Sequence, residues 1–290
     1  METGLPLVVI AGPTASGKTL LAINLAKKFN GEIICADSRT IYKGMDIGTA
    51  KPSLDEQQGI SHWGLDLVEP GDRFTAADFK QYAEQKIEEI RSRGHTPFLV
   101  GGTGLYIDSV LFDYQFGGEV DQELRAQLEK MSIEELHEYC FKNSVILPEN
   151  KLNKRYVIRV IERKSISEKS KNAPRGDSII VGIATEKEQL RTQIAARTEQ
   201  LFEDGVVEEA TMLGKKYGWD SEASSGNIYP IAKRYLEKEL TLAEAKEKNT
   251  TADWHLAKRQ LTWLRRNPYI KWYSLTGANT YLSNLLAKAR

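Results

Sequence analysis

The chain has 290 residues, with 40 Lys+Arg balanced by 40 Asp+Glu, so its formal charge is zero; 41% of its residues are hydrophobic and 28% charged. This excludes a disordered chain and leaves room for one large domain or two modest ones that bury a core without disulfides or a structural metal. It also excludes a uniformly basic nucleic-acid coat, but not a local basic surface.

Leu7 to Ala11 is a short run of apolar, partly β-branched residues, the pattern of a buried parallel strand. A glycine-rich stretch, Gly12 to Thr19, follows it, and Leu20 to Phe29 then reads as a helix with Leu21, Leu25 and Phe29 on one face. Glu32 to Ala36 predicts a second strand ending at Asp37. Thr75 to Arg93 predicts a long amphipathic helix, with Thr75 as N-cap and Gly94 as its stop. Thr96 to Val100 predicts a third strand that runs into Gly101-Gly102-Thr103-Gly104, and Ser178 to Thr185 a further core strand. Strands and helices alternating at these spacings define an α/β fold, a parallel sheet covered by helices.

The middle of the chain differs. Residues 119–138 carry seven acids against two basic residues with helical periodicity, and residues 151–171 carry eight basic residues against two acids. The first half of that basic segment reads as a helix with Val157, Val160 and Ile161 facing inward, and Asn172 to Asp177 as a turn or mobile loop. Residues 113–177 are therefore expected to form a small helical insertion domain, with 1–112 and 178–290 as the α/β core and its C-terminal helices. From Glu186 onward the pattern is helical, with helices expected at 188–201, 206–216 and 242–264.

Cys35 and Cys140 are far apart, with no CxxC or Cys/His cluster, which points to two reduced thiols and no structural zinc. No basic segment precedes an apolar core at the N-terminus, so no signal peptide is expected. No apolar run approaches the roughly 20 residues of a membrane span. A cytoplasmic protein without membrane association is expected.

The strongest signal is Gly12-Pro13-Thr14-Ala15-Ser16-Gly17-Lys18-Thr19, which fits GxxxxGK[ST] between a strand and a helix. Such a loop aims backbone N–H groups at one anion, and the helix N-terminus adds partial positive charge. Lys18 supplies a mobile cation and Thr19 a hydroxyl for Mg²⁺. The loop recognises a diphosphate or triphosphate without saying that a phosphoryl group moves. A phosphotransferase needs further parts, and the third strand ends in Gly-Gly-Thr with no acid.

Carboxyl ends of parallel strands line the ligand crevice. Asp37 at such an end either accepts a proton, holds a Mg²⁺-bound water, or caps a helix. Thr103 follows a double glycine that would allow close approach of a ligand; its hydroxyl either contacts substrate or packs the loop. Two regions are basic: the segment with Lys154, Arg155 and Arg159, and residues 254–271, which carry five basic residues and no acid. Each is either a solvated face or a phosphate-binding surface. Trp254 and Trp263, interleaved with the second, read first as core residues.

Four stretches together resemble the bacterial type of the tRNA dimethylallyltransferase (tRNA isopentenyltransferase) family, without a zinc finger. They are GPTASGKT at 12–19, DSRTIYKGMDIGTAKP at 37–52, LVGGTGLY at 99–106 and AKRQLTWLRR at 257–266. Asn153 to Glu162 resembles the family's basic helix, and Ala76 to Phe79 the start of its core helix. The sequence departs from the family pattern at Thr40, where members carry Gln, and at Ile228 to Ile231, where only Tyr229 matches.

The resemblance implies a P-loop NTPase-like parallel sheet core with a helical insertion and a helical C-terminal region. The reaction it implies is Mg²⁺-dependent transfer of a dimethylallyl group from dimethylallyl diphosphate to N6 of adenine 37 in the tRNA anticodon loop, with diphosphate released. It assigns catalysis to Asp37 as general base, with Thr103 and Lys18. Gly12, Thr14, Ala15, Ser16, Gly17, Lys18 and Thr19 would bind the diphosphate. Thr19 and Asp37 would hold Mg²⁺, directly or through water. Asp37, Ser38, Arg39, Thr40, Thr103, Arg125, Lys154, Arg155 and Arg159 would contact the tRNA anticodon stem-loop. A monomer is the expected state. Three other readings use the same residues: a small-molecule kinase, a prenyltransferase acting on free nucleotides, and a non-enzymatic RNA-binding protein.

Overall fold

Strands whose residues are apolar on both faces need cover on both sides, and the helices supply it. In the computed structural model, which describes residues 5–116, 121–162, 172–219 and 221–288, the chain divides into two units, 1–112 with 173–290, and 113–172.

The first unit is built on a parallel sheet of six strands among the described residues: β1 (Leu7–Ala11), β2 (Gly31–Ala36), β3 (His62–Trp63), β4 (Thr96–Gly101), β5 (Ser178–Ile183) and β6 (Lys271–Tyr273). They lie in the order β3-β2-β4-β1-β5-β6, and every pairing is parallel. The register sets Ala11 and Ala36 each beside Gly101, so the ends of β1, β4 and β2 finish level. The chain leaves β1 toward β2 on one side and later takes β5 on the other. That reversal opens a crevice at the carboxyl ends, where ligands of open α/β sheets bind.

Alternate residues feed two cores. Leu7, Val9, Ile34 and Leu99 pack with Phe79, Ala83, Ile87 and Ile90 of α3 (Ala76–Ser92) and with Tyr106, Ile107 and Val110 of α4 (Gly104–Leu111). Val8, Ile10, Ile33 and Phe98 pack on the opposite face with Leu21, Leu25 and Phe29 of an N-terminal helix and with Ala278, Leu282 and Leu286 of a C-terminal one. α3 starts where its sequence signals, with Thr75 accepting from Asp78 N and Asp78 answering the Thr75 N–H, a capping box.

The helices of this unit, besides those two, are α1 (Lys18–Phe29), α2 (Leu54–Gln57), α8 (Lys187–Glu203), α9 (Val206–Tyr217), α10 (Ile228–Leu236), α11 (Leu242–Leu264) and α12 (Leu275–Lys288). α1 begins two residues before the expected Leu20, because the glycine-rich loop winds directly into its first turn. The region after Glu186 is not helical throughout: Lys271–Tyr273 adds β6 beside β5. α10 carries Pro230 in its first turn, where the missing N–H has no helical partner to lose.

The second unit holds α5 (Gln122–Lys130), α6 (Ile133–Lys142) and α7 (Lys154–Glu162) around Leu128, Leu136, Cys140, Val157, Ile158 and Ile161. The acidic segment breaks into two helices because Ser132 and Glu135 form a capping box that starts α6. On α7 the inward residues are Val157, Ile158 and Ile161, while Val160 is only partly buried. Arg163, Lys164, Lys169 and Lys171 of the basic segment lie outside the described residues. Both cysteines are free. No described helix is long and apolar enough to cross a membrane.

Asn172 to Asp177 is an anchored turn that joins the first unit from residue 173. The Arg175 backbone N–H donates to Leu111 O at 2.8 Å, and the Arg175 guanidinium donates to both Asp177 oxygens at 2.8 and 3.0 Å. Arg91 Nη2 adds a bond to Asp177 at 2.6 Å. Burial pushes the Asp177 carboxyl up, but the bonds from Arg175 and Arg91 outweigh it and hold its pKa down to about 2. A carboxyl lowered by folding stabilises the native state above its unfolded value near 4, and that stability is lost as pH falls toward 2. The thermal midpoint should therefore drop between about pH 4 and pH 2. Asp177→Asn should lower the midpoint at pH 7 and flatten that acid limb, as read by circular dichroism melts across pH.

Candidate functional site

The residues singled out on the three central strand ends meet in one place. A cleft of about 260 Å³ opens at the carboxyl ends of β1, β2 and β4, and its wall includes Thr14, Asp37, Ser38, Arg39 and Thr103. The rest of the wall comes from Gly48 and Thr49, from α8 and α11, and from the segment 225–229.

The loop between β1 and α1 takes its shape from two left-handed residues, Ala15 at φ 60° and Gly17 at φ 78°. Gly17 is the helix N-cap, and its left-handed backbone favours glycine; a Cβ there would also lie 2.9 Å from Leu275 Cδ1, so the end of that side chain would have to shift. The free N–H groups of the first turn and the positive end of the α1 dipole make this loop an anion cradle. Lys18 Nζ donates to Pro13 O at 3.1 Å, folded onto its own loop. Burial of the ammonium pushes the Lys18 pKa down to about 8; Asp37 opposes the drop and Arg197 adds to it. Ser16 is 1% exposed, and its Oγ has no partner. That buried orphan sits in a loop of oxygen and N–H donors, a setting made for phosphate oxygens. Thr19 follows at the second helical position and is partly exposed.

Asp37 and Thr103 belong to adjacent strand ends. Asp37 Oδ1 accepts from Arg39 N at 2.8 Å, which turns the chain sharply and leaves the carboxylate on the cleft wall. Thr103 Oγ1 accepts from Ser38 N at 3.1 Å, tying the two strand ends together. The double glycine before it, expected to allow close approach of a ligand, and Gly104 after it are closely packed by neighbouring protein. A Cβ on Gly101 would lie 2.0 Å from Ala36 O, one on Gly102 2.5 Å from Gln260 Nε2, and one on Gly104 2.0 Å from Trp263 Cδ1. They let neighbouring protein in.

Among the other expected residues, Arg39 reaches away from the phosphate loop, to Glu222 O at 2.7 Å and Ser225 Oγ at 3.3 Å. Thr40 is buried at 7% exposure, with Oγ1 unpartnered, and does not line the cleft. In the second unit, Arg125 is engaged within its own fold, with Glu129 at 3.0 Å and Glu162 at 3.3 Å, and Lys154 Nζ donates to Glu129 O at 2.7 Å. Arg155 and Arg159 lie on the exposed side of α7.

Sequence reasoning missed Arg197 and Gln260. Arg197 of α8 donates to Thr14 Oγ1 at 2.8 Å and to Thr49 O at 3.3 Å. Gln260 of α11 accepts from Thr14 N at 2.8 Å. Arg197 had a signal: it falls on the stripe of Leu190, Ile194 and Leu201, where an arginine interrupts an otherwise inward apolar face. Gln260 lay inside the AKRQ motif, read only for its charges. α11 is held over the cleft by Trp263 Nε1, which donates to buried Asp108 of α4 at 2.6 Å. Trp263 is thus a packing residue. Trp254 is partly buried, with the Arg191 guanidinium 4.7 Å from its ring centre.

A glycine-rich loop at the switch point of a parallel sheet, a carboxylate on a neighbouring strand end, Lys18 at the start of α1 and Arg197 of α8 define a P-loop-type α/β protein with a site suited to an anion. Comparison with known proteins narrows this. Residues 40–267 match the IPP transferase family. The tRNA dimethylallyltransferase of Streptococcus pyogenes serotype M3 is 38% identical over 279 residues, 94% of this chain and 92% of that one. The full-length tRNA isopentenylpyrophosphate transferase of Bacillus halodurans superposes with a TM-score of 0.75 at 32% identity, over 98% of this chain and 97% of that one. A eukaryotic dimethylallyltransferase acting on tRNA shares the fold, with a TM-score of 0.84 at 24% identity over 99% of this chain and 80% of that one. The chain belongs to the IPP transferase family.

The Lys18 geometry makes a prediction. With its pKa near 8, the lysine should lose its charge as pH rises through that value, and anion affinity should fall with it. Inorganic diphosphate binding, measured by calorimetry from pH 7 to 9, should weaken in wild type. In Lys18→Met it should be weak throughout and show less of this slope.

Proposed function

We propose that this protein is a tRNA dimethylallyltransferase, moving the dimethylallyl group of dimethylallyl diphosphate to N6 of the adenine at position 37 of the anticodon loop and releasing diphosphate. The observation that carries the reading is the meeting of the phosphate loop, Asp37, Thr103 and Arg197 around one cleft, in a chain of this family. Each part has a task in that reaction.

Carbon–oxygen cleavage leaves negative charge on the diphosphate, and only interactions that strengthen as that charge grows accelerate the step. The N–H groups of residues 15 and 17–19, with Lys18 and Arg197, are donors for it, while those of Thr14 and Ser16 are bonded to Gln260 Oε1 and Pro13 O and hold the loop in shape. Lys18 suits the role because its charge is poorly matched before the anion arrives: burial and Arg197 both disfavour the ammonium, and a diphosphate reverses that balance.

The donor set also fits Mg²⁺. Thr19 and Asp37 offer hard oxygen ligands and few of them, which suits an ion that keeps waters and binds phosphate oxygens. Bound there, the ion would neutralise charge on the leaving diphosphate. The exocyclic amine of adenine is a weak nucleophile and loses a proton as it attacks. The Asp37 carboxylate, held at the strand end by Arg39 N, accepts that proton. Thr103, already bonded to Ser38, orients the base beside it. The adenine must leave its stack to enter the cleft, and an anticodon loop offers unpaired bases for this.

A small-molecule kinase would use the same loop, but among the wall residues the one strand-end acid is Asp37. Incubating bulk tRNA with the protein, magnesium and dimethylallyl diphosphate, then analysing nucleosides by mass, separates the readings. A dimethylallyl gain on the adenosine next to the anticodon is expected; ATP turnover with no gain would overturn the proposal. Asp37→Ala should lose at least about 100-fold in turnover at saturating donor, the usual effect of removing a general base, with a smaller loss of donor affinity from its part in holding Mg²⁺.

The second unit supplies a basic helix for the tRNA backbone. Exchanging Lys154, Arg155 and Arg159 together for Ala should weaken tRNA binding and reduce its salt slope by about one for each phosphate that the variant no longer neutralises. Filter binding across a salt titration reads both; an unchanged slope would remove these residues from the tRNA surface.

A further inference from the structure

Glu209 of α9 is 8% exposed and belongs to none of the motifs above. Its Oε2 accepts from the backbone N–H groups of Asp46 at 2.8 Å and Ile47 at 2.7 Å. Its Oε1 accepts from Gly48 N at 2.8 Å and from the Tyr229 hydroxyl at 2.8 Å. One carboxylate thus gathers three consecutive backbone donors and a phenol, the inverse of an anion-binding nest in which the protein supplies its own anion.

The next residue in the loop is Thr49, whose carbonyl accepts from Arg197 Nη2. The other arm of Arg197 holds Thr14 of the phosphate loop. The loop has little room to shift around this point. A Cβ on Gly48 would lie 2.6 Å from Tyr229 Oη, and downstream Lys51 Nζ is bound to Tyr42 O at 2.9 Å and Asp66 Oδ1 at 2.6 Å. The Glu209 carboxylate fixes residues 46–48, and it shares the placing of the Thr49 carbonyl with two bonds inside the loop, from Thr49 Oγ1 to Met45 O at 2.5 Å and from Ala50 N to Ile47 O at 2.8 Å.

We propose that Glu209 is a positioning residue that acts through residues 46–49 to hold the Arg197 guanidinium at the phosphate loop. The proposal rests on the reading above in that Arg197 faces the diphosphate. Glu209→Gln is the informative change. It keeps the shape, but turns one oxygen into an N–H₂ group facing either backbone N–H groups or the Tyr229 hydroxyl, so the loop loses acceptors without losing volume.

The test is a double-mutant cycle on the full chain with E209Q, R197Q and the pair, reading the Kd for inorganic diphosphate in the presence of magnesium, with melting temperatures alongside. E209Q should weaken diphosphate binding about 5- to 10-fold, whereas in the R197Q background the same change should cost less than about 2-fold, the non-additivity of coupled residues. A merely structural role would lower the melting temperature and leave the two losses multiplicative; that result, or wild-type affinity in E209Q, overturns the proposal. Should E209Q fail to fold, Tyr229→Phe removes one of the four bonds without changing charge. Its smaller loss must likewise vanish in the R197Q background, and persistence there counts against the proposal. The readout does not require prenyl transfer. A wild-type chain that binds diphosphate but moves no dimethylallyl group overturns the functional reading, and the cycle still decides the role of Glu209; a wild-type chain that binds no diphosphate overturns both.

Discussion

The arrangement of this protein turns on an electrostatic imbalance at the carboxyl end of β1. Desolvation lowers the affinity of the Lys18 ammonium for its proton; Asp37 opposes that loss, Arg197 adds to it, and Cys35 opposes it in smaller measure. The cleft wall carries three arginines, Arg39, Arg197 and Arg259, against two carboxylates, Asp37 and Asp253, and Lys18 stands close enough to feel the charges of Asp37 and Arg197. Folding alone does not favour such a cluster; a polyanion does. The residues of the site are in this sense unbalanced in charge by themselves, and much of the surrounding structure serves to hold the cations in place.

That holding is done by hydrogen bonds between segments far apart in the chain. Thr14 is gripped from two sides, by Gln260 at its N–H and by Arg197 at its hydroxyl, across 246 and 183 residues. The helices that carry these two groups are in turn pinned: α11 by Trp263 on Asp108, and α8 by buried Thr198, whose hydroxyl accepts from Asn249 Nδ2 at 3.0 Å. Asp108 is buried, and burial raises its pKa, partly offset by the bonds from Trp263 and Asn267. The C-terminal third of the chain is thus part of the phosphate site. This also explains the close fit of Gly102 and Gly104, where Gln260 and Trp263 take the space a side chain would fill.

How much of this was legible in the sequence follows from which interactions are local. The strands β1, β2, β4 and β5 and the helix α3 were readable within a residue or two, because apolar runs, Thr75 and Gly94 act on their own neighbourhoods. The phosphate loop was readable because its function demands adjacent residues. β3 and β6, of two and three residues, were not, since each exists only by pairing with an edge. The Ser132 capping box was local and could have been read; helical periodicity on both sides masked it. Arg197, Gln260 and Glu209 reach the site from the far side of the fold. A single sequence marks them only as an arginine on an apolar stripe, a glutamine inside a basic motif, and one of two adjacent acids on a helix.

The neutral net charge takes on a different meaning at this level. Residues 151–171 hold a formal excess of six positive charges, yet the helices of the second unit already use some of their cations internally. Arg125 is paired with Glu129 and with Glu162, whose side chain is only 10% exposed, and Lys154 is bonded to a backbone carbonyl. A formal count over the sequence therefore overstates what that unit offers to an RNA. Cations held in fixed pairs give up some long-range attraction in exchange for a defined geometry, since each long side chain loses fewer rotamers when a ligand arrives. On the proposed reading, a protein that must pick one base in one loop from a pool of similar tRNAs gains from that exchange. Uniform basicity would raise affinity for every RNA alike, whereas placed charges reward only the backbone that matches them.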